Sequence, residues 1–350
     1  MSDAFFLNTM KHIALLLIAA LTLASCHHDP LVTLQGETQG SYYTIRYYDQ
    51  QQRNLTPQID SILTLVDNTL SLWNENSLIR RINNGTDSLI TPLFHDILTK
   101  ANTMRLYTNG ALDCRIGTLV NLYGFGFEKR TEVTQQQIDT ILSQLSRQTY
   151  LIADSNLSLP SPTYTLRHLE PFEFDFNAIA QGYTSDLIGH LFDSLGISNY
   201  IINIGGEVLA KGTKENGENW SVGIERPATH FYDTVQNIET IINLHDKSVV
   251  TSGNYRKYYE KDGIRYSHTI NPATGRPVDH SLLSVSVISD HAWYADAMAT
   301  AFMVMGLEQS LQFINSHPEN PDIQAVYFIY NENGEYRTHS TPAFDSIIQK

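Results

Sequence analysis

Two polar side chains interrupt an apolar helical segment near the end of the chain, YADAMATAFMVMG (residues 294–306). Asp296 and Thr300 lie four residues apart, a spacing that places both side chains on one face of a helix. A carboxylate and a hydroxyl without paired His or Cys favour magnesium or calcium over zinc. The alternative is structural, with Asp296 capping the helix and Thr300 bonding back to a main-chain carbonyl. Taken alone, the pair favours that alternative.

Three further segments combine small residues with side chains suited to binding or proton transfer. DFNAIAQGYTSD (175–186) predicts a helix start, which suits a phosphate, although a capped and tightly packed helix is equally compatible. NIGGE (203–207) places paired glycines after an apolar strand, where a ligand or a plain turn would fit. The stretch at 251–278 predicts an elaborate loop region, in which His268 is a candidate general acid, general base or phosphate ligand.

The elements that must position these segments predict an α+β fold. A first strand is predicted at 40–49, helices follow the Thr-Pro pairs at Thr56 and Thr91, and a third helix is predicted over Gln135–Arg147. Asn333-Gly334 predicts the turn of a terminal hairpin. Helices and strands follow one another without a regular βαβ rhythm, which favours α+β over a doubly wound α/β sheet.

Composition narrows the classes of partner. The chain has 350 residues, of which 23 are basic and 37 acidic, for a formal net charge of −14. No Lys/Arg block is long enough to follow a phosphate backbone, so we expect no nucleic-acid partner. An acidic protein that handles an anionic small molecule needs local charge neutralisation, and a bound metal commonly supplies it.

The N-terminal segment predicts export. MKHIALLLIAALTLASC (10–26) has a basic start, an apolar run and small residues before Cys26, which is typical of a signal peptide. Leu23-Ala24-Ser25-Cys26 resembles a bacterial lipobox, so we expect residues 1–25 to be removed, Cys26 to be lipidated and residues 26–34 to form a tether. An uncleaved anchor is the alternative. With Cys26 acylated, Cys114 is the only other cysteine, which leaves no intrachain disulfide.

The four segments together resemble the ApbE family, flavin transferases that move FMN from FAD to a threonine or serine of a target protein. GETQGSYYTIRYY, DFNAIAQGYTSD, NIGGE, TSGNY, HTINPATGRPV and ADAMATA occur in the order of the family's motifs. The resemblance implies a single large ApbE-like domain related to the T-fold, with mixed sheets and flanking helices, over residues 35–345.

The resemblance also implies ligands for both a magnesium ion and FAD. It assigns Mg²⁺ to the main-chain oxygen of Ala178 and to the side chains of Asp296 and Thr300. The flavin-contacting positions it implies are Trp73, Ala111, Leu112, Asp113, Asp175, Gln181 and Thr269. The structural alternatives are a hydrophobic plug at the end of the first helix for Trp73, and caps of local turns for Asp113 and Asp175. His268, beside Thr269, is the first candidate for the general base. Two departures stand out, since Gln181 occupies a position where family members usually carry Lys, and Gln39-Gly40 replaces Met-Gly.

The function implied by the resemblance is Mg²⁺-dependent transfer of FMN from FAD, as substrate, to a Thr or Ser hydroxyl, with release of AMP. A membrane redox-pump subunit is the kind of acceptor that the family implies. The expected location is a lipid-anchored protein on a bacterial membrane, facing the periplasm. The alternatives are an FAD pyrophosphatase that yields FMN and AMP, and a non-catalytic FAD-binding lipoprotein.

Overall fold

A computed structural model of the protein describes residues 30–126, 133–147, 149–156, 163–227, 237–254, 258–261 and 264–349. The strands are β1 (Leu31–Thr38), β2 (Ser41–Tyr48), β3 (Leu89–Ile90), β4 (Tyr150–Asn156), β5 (Thr163–His168), β6 (Tyr200–Ile204), β7 (Glu207–Lys211), β8 (Trp220–Glu225), β9 (Ile238–Leu244), β10 (Lys247–Gly253), β11 (Tyr258–Lys261), β12 (Ile264–Ser267), β13 (Ile270–Asn271), β14 (Arg276–Pro277), β15 (Leu282–Ser289), β16 (Ala325–Glu332) and β17 (Glu335–Ser340). The helices are α1 (Thr56–Leu70), α2 (Leu78–Asn83), α3 (Pro92–Tyr107), α4 (Gly117–Leu122), α5 (Gln135–Leu145), α6 (Ala180–Ser194), α7 (Ala292–Ser316) and α8 (Pro342–Asp345), with a 3-10 turn at Pro321–Ile323.

An eight-stranded sheet organises the molecule, in the order β1-β2-β6-β7-β10-β15-β16-β17. Neighbouring strands in it are antiparallel. One face packs under α1, α6 and α7, and the other packs under the β8–β9 hairpin and α8. A smaller sheet, β3-β5-β4, joins the same core as α7. The α+β prediction is therefore confirmed, and the helices and sheets share one domain.

The start of the sheet lies earlier than the predicted tether allows. β1 pairs with β2 from Leu31↔Tyr48 to Thr38↔Ser41, because the two strands form one continuous hairpin. Residues 31–34 therefore belong to the sheet, and the boundary moves from 34 to 30. The signal peptide and Cys26 lie outside the described residues. In the described part of the chain, no helix is both long and apolar enough to cross a bilayer.

Local sequence signals explain most element boundaries. Thr91 caps α3 by accepting a hydrogen bond from the Phe94 amide, as its Thr-Pro pair predicts. In α1 the Thr-Pro pair is already helical, and Leu55 occupies the cap position without a side-chain bond. Asn333 and Gly334 both adopt positive φ in the terminal hairpin, which confirms that turn. The stretch at 251–278 is less irregular than predicted, because it contains the end of β10 and two short strand pairs.

Candidate functional site

The N-terminal ends of α6 and α7 cap each other. Asp296 of α7 accepts a hydrogen bond from the Gly182 amide of α6, with Oδ2 3.1 Å from the nitrogen. Asp186 of α6 accepts bonds from the amides of Ala292 (3.0 Å) and Trp293 (2.9 Å) at the start of α7. The first turn of a helix has amides without intrahelical partners, and a carboxylate stabilises them by hydrogen bonding and by charge. Each helix therefore supplies the capping residue of the other.

Gly182 permits the close approach of the two helices. A β-carbon at this position would lie 2.3 Å from the Ala292 carbonyl oxygen and 2.9 Å from the Asp296 β-carbon. Backbone cannot move away from such a clash as a side-chain tip can. The glycine in the segment AQGY is therefore explained by the helix junction that brings Asp296 to α6.

Asp296 is a buried carboxylate with an unusual environment. Its side chain is 5% exposed, and the described residues include no basic side chain in an ion pair with it. Burial raises the pKa of Asp296 to about 7, an effect that the Gly182 amide opposes and the Asp186 carboxylate reinforces. A buried anion needs a proton or a cation to compensate for lost hydration. We therefore expect Asp296 to bind either a proton or a cation.

The predicted metal residues lie around this junction. Thr300 lies one turn after Asp296 on α7, and its Oγ1 is 3.2 Å from the Ser252 Oγ of β10. Ala178 is two residues before α6, on the chain end that Asp296 contacts through Gly182. Of the structural alternative, Asp296 does act as a cap, but of α6 and not of its own helix, whereas the contact of Thr300 is with the Ser252 hydroxyl and not with a main-chain carbonyl. The assignment of these three residues to a metal stays a prediction.

Asp113 and Asp175 are brought together by adjacent main-chain segments. The Asp175 amide donates to the Cys114 carbonyl at 2.8 Å, and the Gly117 amide donates to the Glu173 carbonyl at 3.0 Å. Burial, followed by the charges of Asp113, Asp175 and Asp296, raises the pKa of the Cys114 thiol well above its usual value. The charges of all three predicted carboxylates thus raise the pKa of one buried thiol.

Both aspartates already accept hydrogen bonds from nearby residues. Asp113 forms a forked ion pair with Arg115, whose Nε lies 2.9 Å from Oδ1. Asp175 accepts a hydrogen bond from the Asn177 amide at 2.8 Å, which closes a local turn. Both bonds match the structural alternative for these residues, and their predicted flavin contacts remain untested.

Both unusual glutamines lie at the first turns of α6. The Gln181 amide nitrogen is 2.5 Å from the position that a β-carbon on Gly205 would occupy, and Gly205 has a φ of +69°. Gln39 donates from Nε2 to the Thr184 hydroxyl at 2.8 Å. Gly205, the first of the paired glycines of NIGGE, therefore makes room for Gln181. Gln181 and Thr184, the partner of Gln39, thus lie within one turn of each other on α6.

The α6 terminus itself is less open to a phosphate than the sequence predicts. The Gly182 amide is used by Asp296, and the amides of Ala180 and Tyr183 bond to main-chain carbonyls of Phe176 and Ile179. The carbonyls of Phe176 and Ile179, which precede α6, therefore already accept hydrogen bonds from the Ala180 and Tyr183 amides. A diphosphate near this end would therefore depend on side chains and on a cation more than on free helix amides.

The remaining predicted residues occupy three settings. Trp73 follows α1 with 67% of its surface exposed, which leaves a ring face for stacking. Leu112 is buried in the core beside the half-buried Ala111, and the Leu112 amide donates to the Thr108 hydroxyl. His268 and Thr269 are half-buried before β13, where the His268 ring meets Phe125 edge to face at 6.4 Å. Their relation to a ligand stays a prediction.

The donor set near Asp296 fits a hard cation. A carboxylate, a hydroxyl and a main-chain oxygen are the donor types that Mg²⁺ prefers, and it commonly completes its shell with substrate phosphates. The described residues contain no group of three His, Cys, Asp or Glu side chains arranged to hold a metal by themselves. A magnesium site here would therefore depend on substrate or water oxygens for the remaining positions.

Sequence reasoning missed Asp186, Arg115 and Ser252. Asp186 carries the same signal as Asp296, an acidic residue on the buried side of an apolar helix, and its segment was recognised without assigning it a role. Ser252 gave no comparable signal, because its contact with Thr300 depends on the packing of β10 against α7. Arg115 lies two residues after its partner Asp113, so the only available signal was that local spacing of opposite charges.

Comparison with known proteins gives consistent matches over nearly the whole chain. A family model described as the ApbE family matches residues 39–327. An FAD:protein FMN transferase of Vibrio cholerae is 30% identical over 349 residues, covering 97% of this chain and 100% of the relative. One from Escherichia coli is 31% identical over 350 residues, covering 95% and 96%.

Solved structures agree with these matches. The flavin transferase ApbE from Vibrio cholerae superposes with a TM-score of 0.76 at 31% identity, covering 91% of this chain and 99% of that one. The apo form of the Pseudomonas stutzeri flavinyl transferase ApbE gives a TM-score of 0.75 at 30% identity, covering 91% and 97%.

Proposed function

The chain belongs to the ApbE family of flavin transferases, and we propose that it transfers FMN from FAD to a threonine or serine hydroxyl of a partner protein, with Mg²⁺ as cofactor. The structural observation that best supports this proposal is Asp296, a buried carboxylate with a raised pKa at the junction of α6 and α7. A buried carboxylate of this kind within the family's own motifs supports the assignment of a cation to this junction.

The metal would be held by Asp296, Thr300 and the main-chain oxygen of Ala178. When bound, Mg²⁺ would offset the charge of the FAD diphosphate and align it for displacement. Asp296 would then exchange its proton for the cation, because a nearby positive charge favours the ionised carboxylate. Gly182 and Asp186 keep Asp296 at the helix junction through their hydrogen bonds.

The proposed reaction is a displacement at the FMN phosphorus of FAD. The acceptor hydroxyl oxygen forms a new phosphorus–oxygen bond, the bond to the AMP phosphate breaks, and AMP leaves with its electron pair. The hydroxyl proton goes to a ring nitrogen of His268. Two properties support this role: the side chain is half-buried, and an imidazole generally changes protonation state near neutral pH. Catalysis would rest mainly on positioning and electrostatics, as in phosphoryl transfer generally.

FAD would be oriented by residues of several elements. Trp73 offers an exposed ring for stacking on an aromatic part of FAD. Gln181, beside Gly205, offers amide hydrogens to the diphosphate region, in place of the cationic side chain that is usual in the family. Ala111, Leu112, Asp113, Asp175 and Thr269 complete the proposed FAD contacts.

The proposal extends to location and partner. We infer an exported lipoprotein, anchored through Cys26 to a bacterial membrane and facing the periplasm, with a membrane redox-pump subunit as the kind of acceptor. The support is the lipobox-like segment at 23–26. In addition, only residues 27–30 separate Cys26 from β1, which begins at Leu31.

One assay separates transfer from its alternatives. Residues 27–350 are incubated with FAD and Mg²⁺, with and without an acceptor domain, and covalent flavin fluorescence and free AMP are measured. AMP formed only with labelled acceptor supports transfer. AMP without acceptor indicates a pyrophosphatase, and tight FAD binding with neither product indicates a binding protein.

A matched pair of variants tests the metal assignment in the same assay. Asp296→Ala should abolish product formation, whereas Asp139→Ala, on the exposed side of α5, should leave it unchanged. Full activity of the Asp296 variant would contradict the assignment.

A further inference from the structure

Helix α7 is two helical segments joined at Gly306. This residue has φ 76° and ψ 174°, values outside the helical range, in the middle of the element. The segment that carries Asp296 and Thr300 therefore ends at Met305. The last carbonyls of a helical segment have no amide partners within it and must find donors elsewhere.

Two side chains supply those donors. The His280 Nε2 lies 2.8 Å from the Met303 carbonyl oxygen, and since a carbonyl only accepts, Nε2 carries the proton. Ser310 donates to the Phe302 and Gly306 carbonyls, at 3.2 and 2.6 Å. Ser310 belongs to α7 itself, whereas His280 comes from the segment before β15. The carbonyls at the interruption thus accept one side-chain donor from within α7 and one from a separate segment.

The histidine fits the interruption closely. A β-carbon on Gly306 would lie 3.1 Å from the His280 Cδ2. The positive φ and the missing side chain of Gly306 together make room for the ring. The second ring nitrogen, Nδ1, is buried and has no hydrogen-bond partner among the described residues. The hydrogen on Nε2 is therefore used in the bond to Met303.

His280 also connects α7 to the segment that contains His268. The Val278 amide donates to the Thr269 carbonyl at 3.0 Å, which closes the loop between them. His280 follows two residues later and bonds to Met303, which lies three residues after Thr300 on α7. Two hydrogen bonds and the short chain stretches between them thus connect the segment of the proposed base to the segment of the proposed metal residues.

We propose that His280 is a positioning residue, whose bond to Met303 sets the Asp296–Thr300 segment of α7 relative to the His268–Thr269 segment. This inference rests on the proposed function, because it gives the bond a role in aligning the cation with the reacting hydroxyl. A purely structural residue would stabilise α7 without affecting the site. Side chains that orient metal ligands commonly change metal affinity or activity by about 10–100-fold when replaced.

The test compares three variants of the residue 27–350 protein. His280→Ala removes the donor, and His280→Gln keeps an amide hydrogen near the position of Nε2. Ser310→Ala is the matched control, since it removes the other closure of the same interruption without touching the His268 segment. His280→Asn has a shorter side chain, whose amide does not reach Met303. It replaces the alanine variant if that one does not fold.

Two readouts are needed. Mn²⁺ binding to the FAD-free protein, followed by electron paramagnetic resonance, is expected to weaken by about 10-fold or more in His280→Ala and to recover in His280→Gln. The FMN transfer rate at saturating FAD and Mg²⁺ should fall in parallel. Ser310→Ala should lower the thermal midpoint with Mn²⁺ affinity and rate unchanged.

The inference is overturned if His280→Ala, or His280→Asn in its place, behaves as Ser310→Ala does, with only the thermal midpoint lowered. It is also overturned if the wild-type protein binds no Mn²⁺. Failure of the proposed function is a different result, because wild-type protein would then bind Mn²⁺ and FAD but label no acceptor. In that case the Mn²⁺ affinities of the variants alone decide whether His280 positions the site.

Discussion

At the scale of single residues, the site depends on a carboxylate that the fold buries without a basic partner. Asp296 contacts the Gly182 amide and lies in the field of Asp186, and burial dominates the rise in its pKa. In the absence of a cation this charge destabilises the folded state, and a bound divalent ion would reverse the effect. Stability and metal binding are therefore linked through one side chain.

Replacing Asp296 with Asn should stabilise the metal-free protein at about pH 8. The pKa of Asp296 rises from 3.8 to about 7 on folding, so between these values the unfolded state releases a proton that the folded state keeps. Each rise in pH through this window favours unfolding, and the penalty is complete above about pH 7. Asn removes it and keeps an acceptor for Gly182, so we expect a gain of about 1–3 kcal/mol in the free energy of unfolding.

Urea denaturation at about pH 4 and about pH 8, with and without Mg²⁺, measures this linkage. The gain should vanish at the lower pH, and Mg²⁺ should stabilise the wild type but not the variant. An Asn variant that is less stable than the wild type at the higher pH would show that Asp296 is not a strained anion.

Gln181→Lys tests the other unusual residue. The side chain lies beside Gly205 near the start of α6, the region to which the proposed function assigns the FAD diphosphate. A charged donor should lower the FAD dissociation constant by about tenfold, since hydrogen bonds to charged groups contribute about 1.5–3 kcal/mol. Fluorescence titration with FAD measures the change, and added salt should reduce it. An unchanged dissociation constant would place the diphosphate away from Gln181.

At the scale of elements, the junction of α6 and α7 is the feature that assembles the site. Asp186 and Asp296 exchange caps, and Gly182 lets the two helices approach. The caps cross between elements 106 and 114 residues apart in the chain. A change at this junction should therefore affect both helices and the proposed metal ligands together.

Gly182→Ala tests the junction against Gly189→Ala on the same helix. The new methyl group at 182 would meet the Ala292 carbonyl oxygen at 2.3 Å, whereas at 189 it would meet the Leu209 Cδ2 at 2.8 Å, which can rotate away. Overpacking against fixed atoms commonly costs about 1–3 kcal/mol, so Gly182→Ala should lower stability by that amount and also weaken Mn²⁺ binding. Gly189→Ala should lower stability by a smaller amount and should leave Mn²⁺ binding unchanged. Equal effects in thermal unfolding and Mn²⁺ titration would contradict this account of Gly182.

At the scale of the whole molecule, the first strand connects the chain entry to the site. Pro30 precedes β1, and Gln39 follows it directly and bonds to Thr184 of α6. An eight-residue strand spans about 25 Å, so the site lies roughly that far from the point where the tether enters the domain. If Cys26 carries lipid, only residues 27–30 separate it from the sheet.

Cys26→Ser tests the anchor. The wild-type protein should sediment with membranes and incorporate a fatty-acid analogue, whereas the variant should lose the label. Release of the variant from membranes is expected too, because the lipid on Cys26 is the proposed attachment. A variant that stays in the membrane fraction without label would support the uncleaved anchor.

The sequence by itself determined the features that depend on local pattern. Hydrophobic spacing, the Thr-Pro pair at Thr91 and the turn at Asn333-Gly334 predicted elements that the structure contains, because caps and turns involve neighbouring residues. The motifs also sufficed to indicate the family. Boundaries that depend on partners were less accurate, as residues 31–34 pair with β2 instead of forming a tether.

Only the tertiary structure decided which groups meet. The sequence offers Asp296 as a cap of its own helix or as a metal ligand, and the fold shows that it caps α6 through Gly182. The contact of Ser252 with Thr300 and that of His280 with Met303 likewise follow from packing between separate segments. Burial and long-range contacts set the charge state of Asp296, and these are properties of the folded chain that local sequence does not encode.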